Sequence, residues 1–241
     1  MNTFLKAGVA AALAAGSCAS VLAAEFSVTP VRIFMAARDR AVAITVVNEG
    51  DEEIVMQADL YSWRQKPGGE DDLVLTEDII LSPPILKLAP KSRQIVRLAR
   101  LGAPPTTGQM TYRMIVREVP EAKPPSADLK LQIALAFSLP VFITPPGAKR
   151  QLSCSVERTG SDAVNAVCEN TGNAYAQPVA FALVAESGAQ IALRDTGGYI
   201  LPDNKRAFPI KSQGAPFPAG KGKLRVTLDD GTVQSFEASL L

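Results

Sequence analysis

Large apolar side chains occupy every second position from Leu129 to Val141: Leu129, Leu131, Ile133, Leu135, Phe137, Leu139 and Val141. A period of two puts them all on one face of an extended chain, which a helix cannot do. The run would reach about 40 Å, where an ordinary strand has five or six residues. Smaller or polar residues, Lys130, Gln132, Ala134, Ala136, Ser138 and Pro140, take the other face. Such a strand either buries its greasy face in its own sandwich or offers it to a second chain. Pro140 lacks the N–H that a central strand would use, which favours an edge. A long apolar edge is an aggregation hazard unless it completes another sheet.

The rest of the chain has the same character. Ala41 to Val47 runs into a turn at Asn48-Glu49-Gly50-Asp51. Ile54 to Trp63 stops at Pro67-Gly68-Gly69, a turn extended by Glu70-Asp71-Asp72. Ile95 to Leu98, Met110 to Val119 and Leu129 to Phe142 complete a first half of short strands at close spacing, the pattern of an immunoglobulin-like sandwich. Pro145-Pro146-Gly147 reads as a linker, and the remainder repeats the all-β pattern with more glycine and proline. We therefore expect an all-β chain with two immunoglobulin-like β-sandwich domains, residues 25–145 and 146–241, behind a leader at 1–24. In that leader, Lys6 precedes the apolar run Ala7 to Ala15, and Val21-Leu22-Ala23-Ala24 resembles a cleavage site. Cys18 after Gly16-Ser17 offers a lipoprotein-like alternative, but Ala15 stands where a larger aliphatic residue belongs. No later segment has the length of apolar chain needed to span a bilayer.

Composition narrows the chemistry. The 241 residues include no histidine, which removes Ser-His-Asp and Cys-His catalysis, His-ligated zinc and imidazole switching together. Lys and Arg total 25 against 24 Asp and Glu, so no strong field for nucleic acid or an anionic membrane is expected. Beyond the leader only Cys154 and Cys168 remain. In an exported chain an isolated pair usually forms a disulfide, the alternative being two buried thiols. Both flanks read as strands joined by Arg158-Thr159-Gly160-Ser161-Asp162, so opposed registers would bring the cysteines together. A metal would need two more soft ligands, and none is available.

Four stretches resemble, in family order, the PapD-like periplasmic chaperones of the chaperone–usher pilus pathway. They are Ser82-Pro83-Pro84-Ile85-Leu86-Lys87-Leu88-Ala89-Pro90 with the following Lys91 to Leu98, Tyr112 to Pro120, Leu131-Gln132-Ile133-Ala134-Leu135, and Asn170-Thr171-Gly172-Asn173. The Trp63-Arg64-Gln65 hairpin and Ser138-Leu139-Pro140-Val141-Phe142 are similar to the archaic branch. The resemblance implies an L-shaped periplasmic chaperone that binds, folds and caps pilin or fimbrial subunits by donor-strand complementation. It would hand them to an outer-membrane usher. Leu131, Ile133 and Leu135 would fill the subunit groove, with Leu129 and Phe137 flanking. Arg32, in Pro30-Val31-Arg32-Ile33-Phe34, matches the first of two basic residues that grip the subunit's C-terminal carboxylate, a task suited to a planar fork. The second, a lysine in the family, falls on Pro140; Arg113 is the first candidate to replace it, before Arg117 and Arg97. Family positions for an interdomain ion network fall on Gln109 and Thr144, which puts the rigidity between domains in question.

Other charged groups read as solvated turns. Asp229-Asp230 and Glu77-Asp78 resemble carboxylate pairs of glycoside chemistry, but neighbours on a strand point to opposite faces. The expectation is a chaperone with no catalytic activity, no cofactor and no metal. It would bind neither nucleic acid nor insert in a membrane, and self-association of the free protein, hiding its apolar edge, is left open. The alternatives are a secreted immunoglobulin-like adhesin or structural pilus component and, far behind, an exported hydrolase.

Overall fold

The computed structural model describes residues 26–120, 134–212, 214 and 216–240, and every regular element among them is a strand. The leader and three of the donor-strand candidates, Leu129, Leu131 and Ile133, lie outside the described residues.

Ten strands make the first sandwich: β1 (Phe26–Thr29), β2 (Ile33–Ala36), β3 (Ala41–Asn48), β4 (Ile54–Gln65), β5 (Asp71–Leu75), β6 (Ile79–Ser82), β7 (Ile85–Leu88), β8 (Arg93–Arg100), β9 (Met110–Glu118) and β10 (Ala136–Thr144). One sheet has the order β1-β3-β8-β6; the other runs β2-β10-β9-β4-β5, with β7 also pairing β4. The chain passes from the first sheet to the second at the cis Thr29–Pro30 bond, and again at cis Ser82–Pro83. Alternate residues such as Ile33, Ile44, Met56, Val96, Met114 and Val141 are fully buried and make the core between the sheets, as a period of two requires.

The second sandwich has β11 (Leu152–Arg158), β12 (Ala163–Asn170), β13 (Pro178–Ala185), β14 (Gln190–Arg194), β15 (Asn204–Lys211), β16 (Lys221–Leu228) and β17 (Val233–Ser239). Its sheets are β11-β12-β15 and β14-β13-β16-β17, closing over Phe181, Phe208, Leu183, Leu224 and Val226. Cys154 and Cys168 are direct register partners on β11 and β12, with Cα atoms 4.1 Å apart, and they are bonded.

Each sandwich is closed at one corner by the same device. Asn48 ends β3 and Asn170 ends β12, and both are wholly buried polar residues. Asn48 Nδ2 donates to the carbonyls of Glu52, Leu88 and Ala89 at 2.7, 3.1 and 3.0 Å, while its Oδ1 accepts from Gly50 N. Asn170 Nδ2 donates to Ala174 and Ile200 carbonyls at 2.8 and 3.1 Å, and its Oδ1 accepts from Gly172 N and Gln151 N. Burying an amide is tolerable only because each of these groups is satisfied. Gly172 is required beside this plug, since a Cβ there would stand 2.3 Å from the Lys149 carbonyl.

Two local expectations change. Asp71 and Asp72 do not extend a turn; they open β5, because Leu73, Val74 and Leu75 continue the ladder against β4. Asp229 and Asp230 lie in the turn after β16 rather than on a strand, so they are not forced to opposite faces, and Arg150 reaches both.

Candidate functional site

The strand β10 changes character along its length. From Ala136 to Ile143 it pairs with β9, but its pairing with β2 begins only at Val141↔Ile33. Among the described residues, the strand expected at an edge is therefore an edge over Ala136 to Pro140 and interior from Val141 onward. Pro140, which has no N–H to give, stands where the second ladder starts.

That junction aligns two arginines. Arg113 is the register partner of Pro140 on β9, and Arg32 precedes Ile33, one step before the Val141↔Ile33 pair. Pro140 on β10 and Arg113 on β9 thus stand abreast of Arg32, the residue that leads into β2. Ile33, Val141 and Tyr112 beside them are buried in the first core, so by strand alternation the three point away from it, toward the second sandwich.

There, an aromatic cluster joins the two halves. Phe142 stacks on Tyr175 with ring centroids 4.2 Å apart, and Trp63, Tyr199 and Leu201 close around them. The Arg32 guanidinium carbon lies 5.9 Å and that of Arg113 5.4 Å from the centre of the Tyr199 ring, so both cations converge on one aromatic ring. Arg113 also lies 3.8 Å over Trp63, whose Nε1 donates to Asp71 at 2.8 Å; Asp71 in turn accepts from Arg113 at 3.4 Å. Arg32 donates through NH1 to Asp229 Oδ2 at 2.6 Å and to the Tyr175 hydroxyl at 3.3 Å, and Tyr175 donates to the same Asp229 oxygen at 3.1 Å. Asp229 is held a second time by Arg150 at 3.5 Å, and Arg150 also pairs with Asp230.

The titration of these groups follows from the crowding. Burial works against the Arg32 charge, but Tyr199, Tyr175 and Asp229 more than offset it, and its pKa rises. Burial lowers the Arg113 pKa against the opposing pull of Asp71 and Tyr199, yet a guanidinium begins so high that it stays charged. Tyr175 is pushed up to about 12, chiefly by burial and then by the Asp229 carboxylate.

Gln109 and Thr144 form part of the seam instead of an ion network. Gln109 Nε2 donates to Thr144 Oγ1 at 2.8 Å, and its Oε1 accepts from Tyr175 N at 2.9 Å. Asn173 Nδ2 donates to Thr107 O at 2.6 Å, and Gln65 bonds both Tyr199 O and Leu201 N. The connection expected to be weakened is kept by neutral amides, with the Arg32–Asp229 pair as its ionic part.

Of the donor-strand candidates, Leu135 and Phe137 are described, and both pack partly buried against the first core at the open end of β10; Phe137 meets Phe26 edge to face at 4.7 Å. Ala136, the other side of this stretch, is exposed. The lesser arginine candidates are elsewhere: Arg117 pairs with Asp59, and Arg97 is exposed on β8 of the other sheet. Sequence reasoning missed Asp229, Tyr175, Tyr199 and Asp71. No local pattern marks them, because each meets Arg32 or Arg113 only through the folded chain.

A family model described as pili and flagellar-assembly chaperone, PapD N-terminal domain, matches residues 25–149. No curated protein matches the sequence. Solved structures do. A chain of the CsuC–CsuE chaperone–tip adhesion subunit pre-assembly complex, from the archaic chaperone-usher Csu pili of Acinetobacter baumannii, is 22% identical with a TM-score of 0.66, over 89% of this chain and 98% of that one. The E. coli chaperone DraB is 21% identical over 90% of this chain and 96% of its own, with a TM-score of 0.57. The Pseudomonas aeruginosa CupB2 chaperone is 18% identical over 89% of this chain and 100% of its own, with a TM-score of 0.57. At these identities the likeness establishes a shared two-sandwich fold.

Proposed function

We propose, from the premise that this chain belongs to the PapD family of pili and flagellar-assembly chaperones, that it caps pilus subunits by lending them the open edge of β10. The observation that carries this reading is a strand edge from Ala136 to Pro140, unpaired on one side among the described residues, ending between two arginines in an aromatic cleft. An incomplete subunit sheet would pair with the free backbone groups, and the alternating side chains from Leu129 to Phe137 would fill its groove. Each fully buried leucine or isoleucine adds roughly 1.5–3 kcal/mol before association costs are subtracted. The subunit's terminal carboxylate would then meet Arg32 and Arg113, with Arg113 in the place of the family lysine.

The chaperone acts by binding, without catalysis or cofactor. Periplasmic work and release to an outer-membrane usher accord with the family and with the leader-like residues 1–24. The domain boundary belongs in Pro145-Pro146-Gly147, between β10 and β11. Family membership does not favour an adhesin or structural pilus component.

Co-expression with the pilus subunits of its own organism tests the reading. A discrete one-to-one complex is expected in periplasmic extract. Arg32→Ala should sharply weaken it, and Ile133→Glu should leave the chaperone folded but its subunits degraded. Normal subunit levels with both variants would overturn the assignment.

A further inference from the structure

We infer that Asp229 is a resident counter-carboxylate that tunes the grip of Arg32 by occupying it until a subunit terminus takes its place. The inference rests on the reading of Arg32 as a carboxylate anchor.

Arg32 is the more exposed partner, its side chain 32% accessible, while that of Asp229 is only 9% accessible. Its bonds to Asp229 and to Tyr175 both leave from NH1, and Tyr199 lies against the same guanidinium. A guanidinium carries five N–H donors, so these contacts leave others for an arriving carboxylate on its accessible side. An arriving carboxylate meets a cation already neutralised by an acid at 2.6 Å, and like charges packed around one guanidinium oppose each other.

Arg150 resolves the conflict. It lies 3.5 Å from Asp229 Oδ1, on the carboxylate oxygen that Arg32 does not use, and it is anchored independently by Asp230. When the subunit carboxylate draws Arg32 away, Asp229 keeps a cation and no buried charge is stranded. The neutral bonds of Gln109, Thr144 and Asn173 hold the seam during this exchange. The grip on a subunit is consequently weaker than two unpaired arginines would give, which suits a carrier that must let go.

The test measures the affinity of the full mature chain for a short peptide with valine at alternate positions, once with a free terminal carboxylate and once as the terminal amide. The acid-to-amide preference isolates the anchor from strand pairing. Asp229→Asn keeps an acceptor for Arg32 but removes the charge, so the preference should rise about tenfold, equivalent to about 1.4 kcal/mol. Arg150→Gln leaves Asp229 to Arg32 alone, so the preference should fall; loosening of the seam would move both variants the same way. Asp230→Asn, which touches Arg150 but not Arg32, should change it little. An unchanged or reduced preference in Asp229→Asn, or an equal rise in Asp230→Asn, overturns the inference while leaving the anchor standing, provided Arg32→Ala abolishes the preference. If wild type and Arg32→Ala show no preference alike, the anchor reading itself fails and the inference with it.

Discussion

Asn48 and Asn170 are wholly buried, and each satisfies several backbone groups at the corner of its sandwich. Replacing Asn170 with Ala removes the Asn170 bonds to the Ala174 carbonyl and to the Gly172 and Gln151 amides, while the Ile200 carbonyl keeps only Ala176 N, and a buried unsatisfied group costs about 1–3 kcal/mol. Urea unfolding should therefore show a loss of about 3 kcal/mol, with Asn48→Ala similar, and a loss below about 1 kcal/mol would mean water replaces the amide. Tyr175 makes a different prediction. Its native pKa is raised to about 12, above the ordinary value of 10.0, so the unfolded chain releases the phenolic proton first. Its contribution is intact below pH 10 and is lost as pH climbs toward 12. With no histidine in the chain, the melting temperature should be nearly flat from pH 6 to 9 and fall above about 10; Tyr175→Phe should blunt that fall. The asparagine turns were visible in the sequence as Asn-x-Gly before a polar loop. Their burial was not, because each amide also reaches a buried carbonyl far along the chain, Leu88 for Asn48 and Ile200 for Asn170.

At the scale of elements, the period of two was enough to find most strands, and the cysteine register followed from two strands joined by a short loop. Closing a loop of that size restricts the unfolded chain by about 3 kcal/mol. Replacing Cys154 and Cys168 together with serine should lower the stability of the second sandwich by about that amount, read as a shifted denaturation midpoint with the first sandwich's transition unmoved. What pattern alone could not resolve was β5, where two acids precede only three apolar residues. The pairing of Asp71 with Trp63 and Arg113 is a tertiary fact that local propensity does not carry. Nor could alternation tell which half of β10 is an edge, since the greasy face is the same in both. Partnering, set by where β2 begins, makes the difference. Leu139→Ala, inside the first core, should cost about 2–4 kcal/mol of stability, whereas Phe137→Ala at the open end should cost less and should mainly weaken subunit capture.

For the whole molecule, the seam explains why the charge pattern looked so uninformative. Arg32 is marked by its motif, but Asp229, 197 residues away, reads as an ordinary charge until the two sandwiches meet. Phe142 of the first half stacks on Tyr175 of the second, which Tyr199 meets edge to face, so the stack forms only where the halves meet. Weakening the neutral bridge by Gln109→Ala should leave each sandwich folded yet loosen the joint, seen as a larger radius of gyration in solution scattering; an unchanged radius would show that the aromatic stack alone suffices. The strand β10 has a further consequence. Its free stretch and its interior stretch are one continuous backbone, and the interior stretch is bonded on both sides while also bearing Phe142 at the seam. A cargo tugged along that strand would load two hydrogen-bonded ladders in shear, the direction in which sheets resist best, whereas its own contact with the loaned stretch could peel open bond by bond. Under tension the handle should outlast the hold.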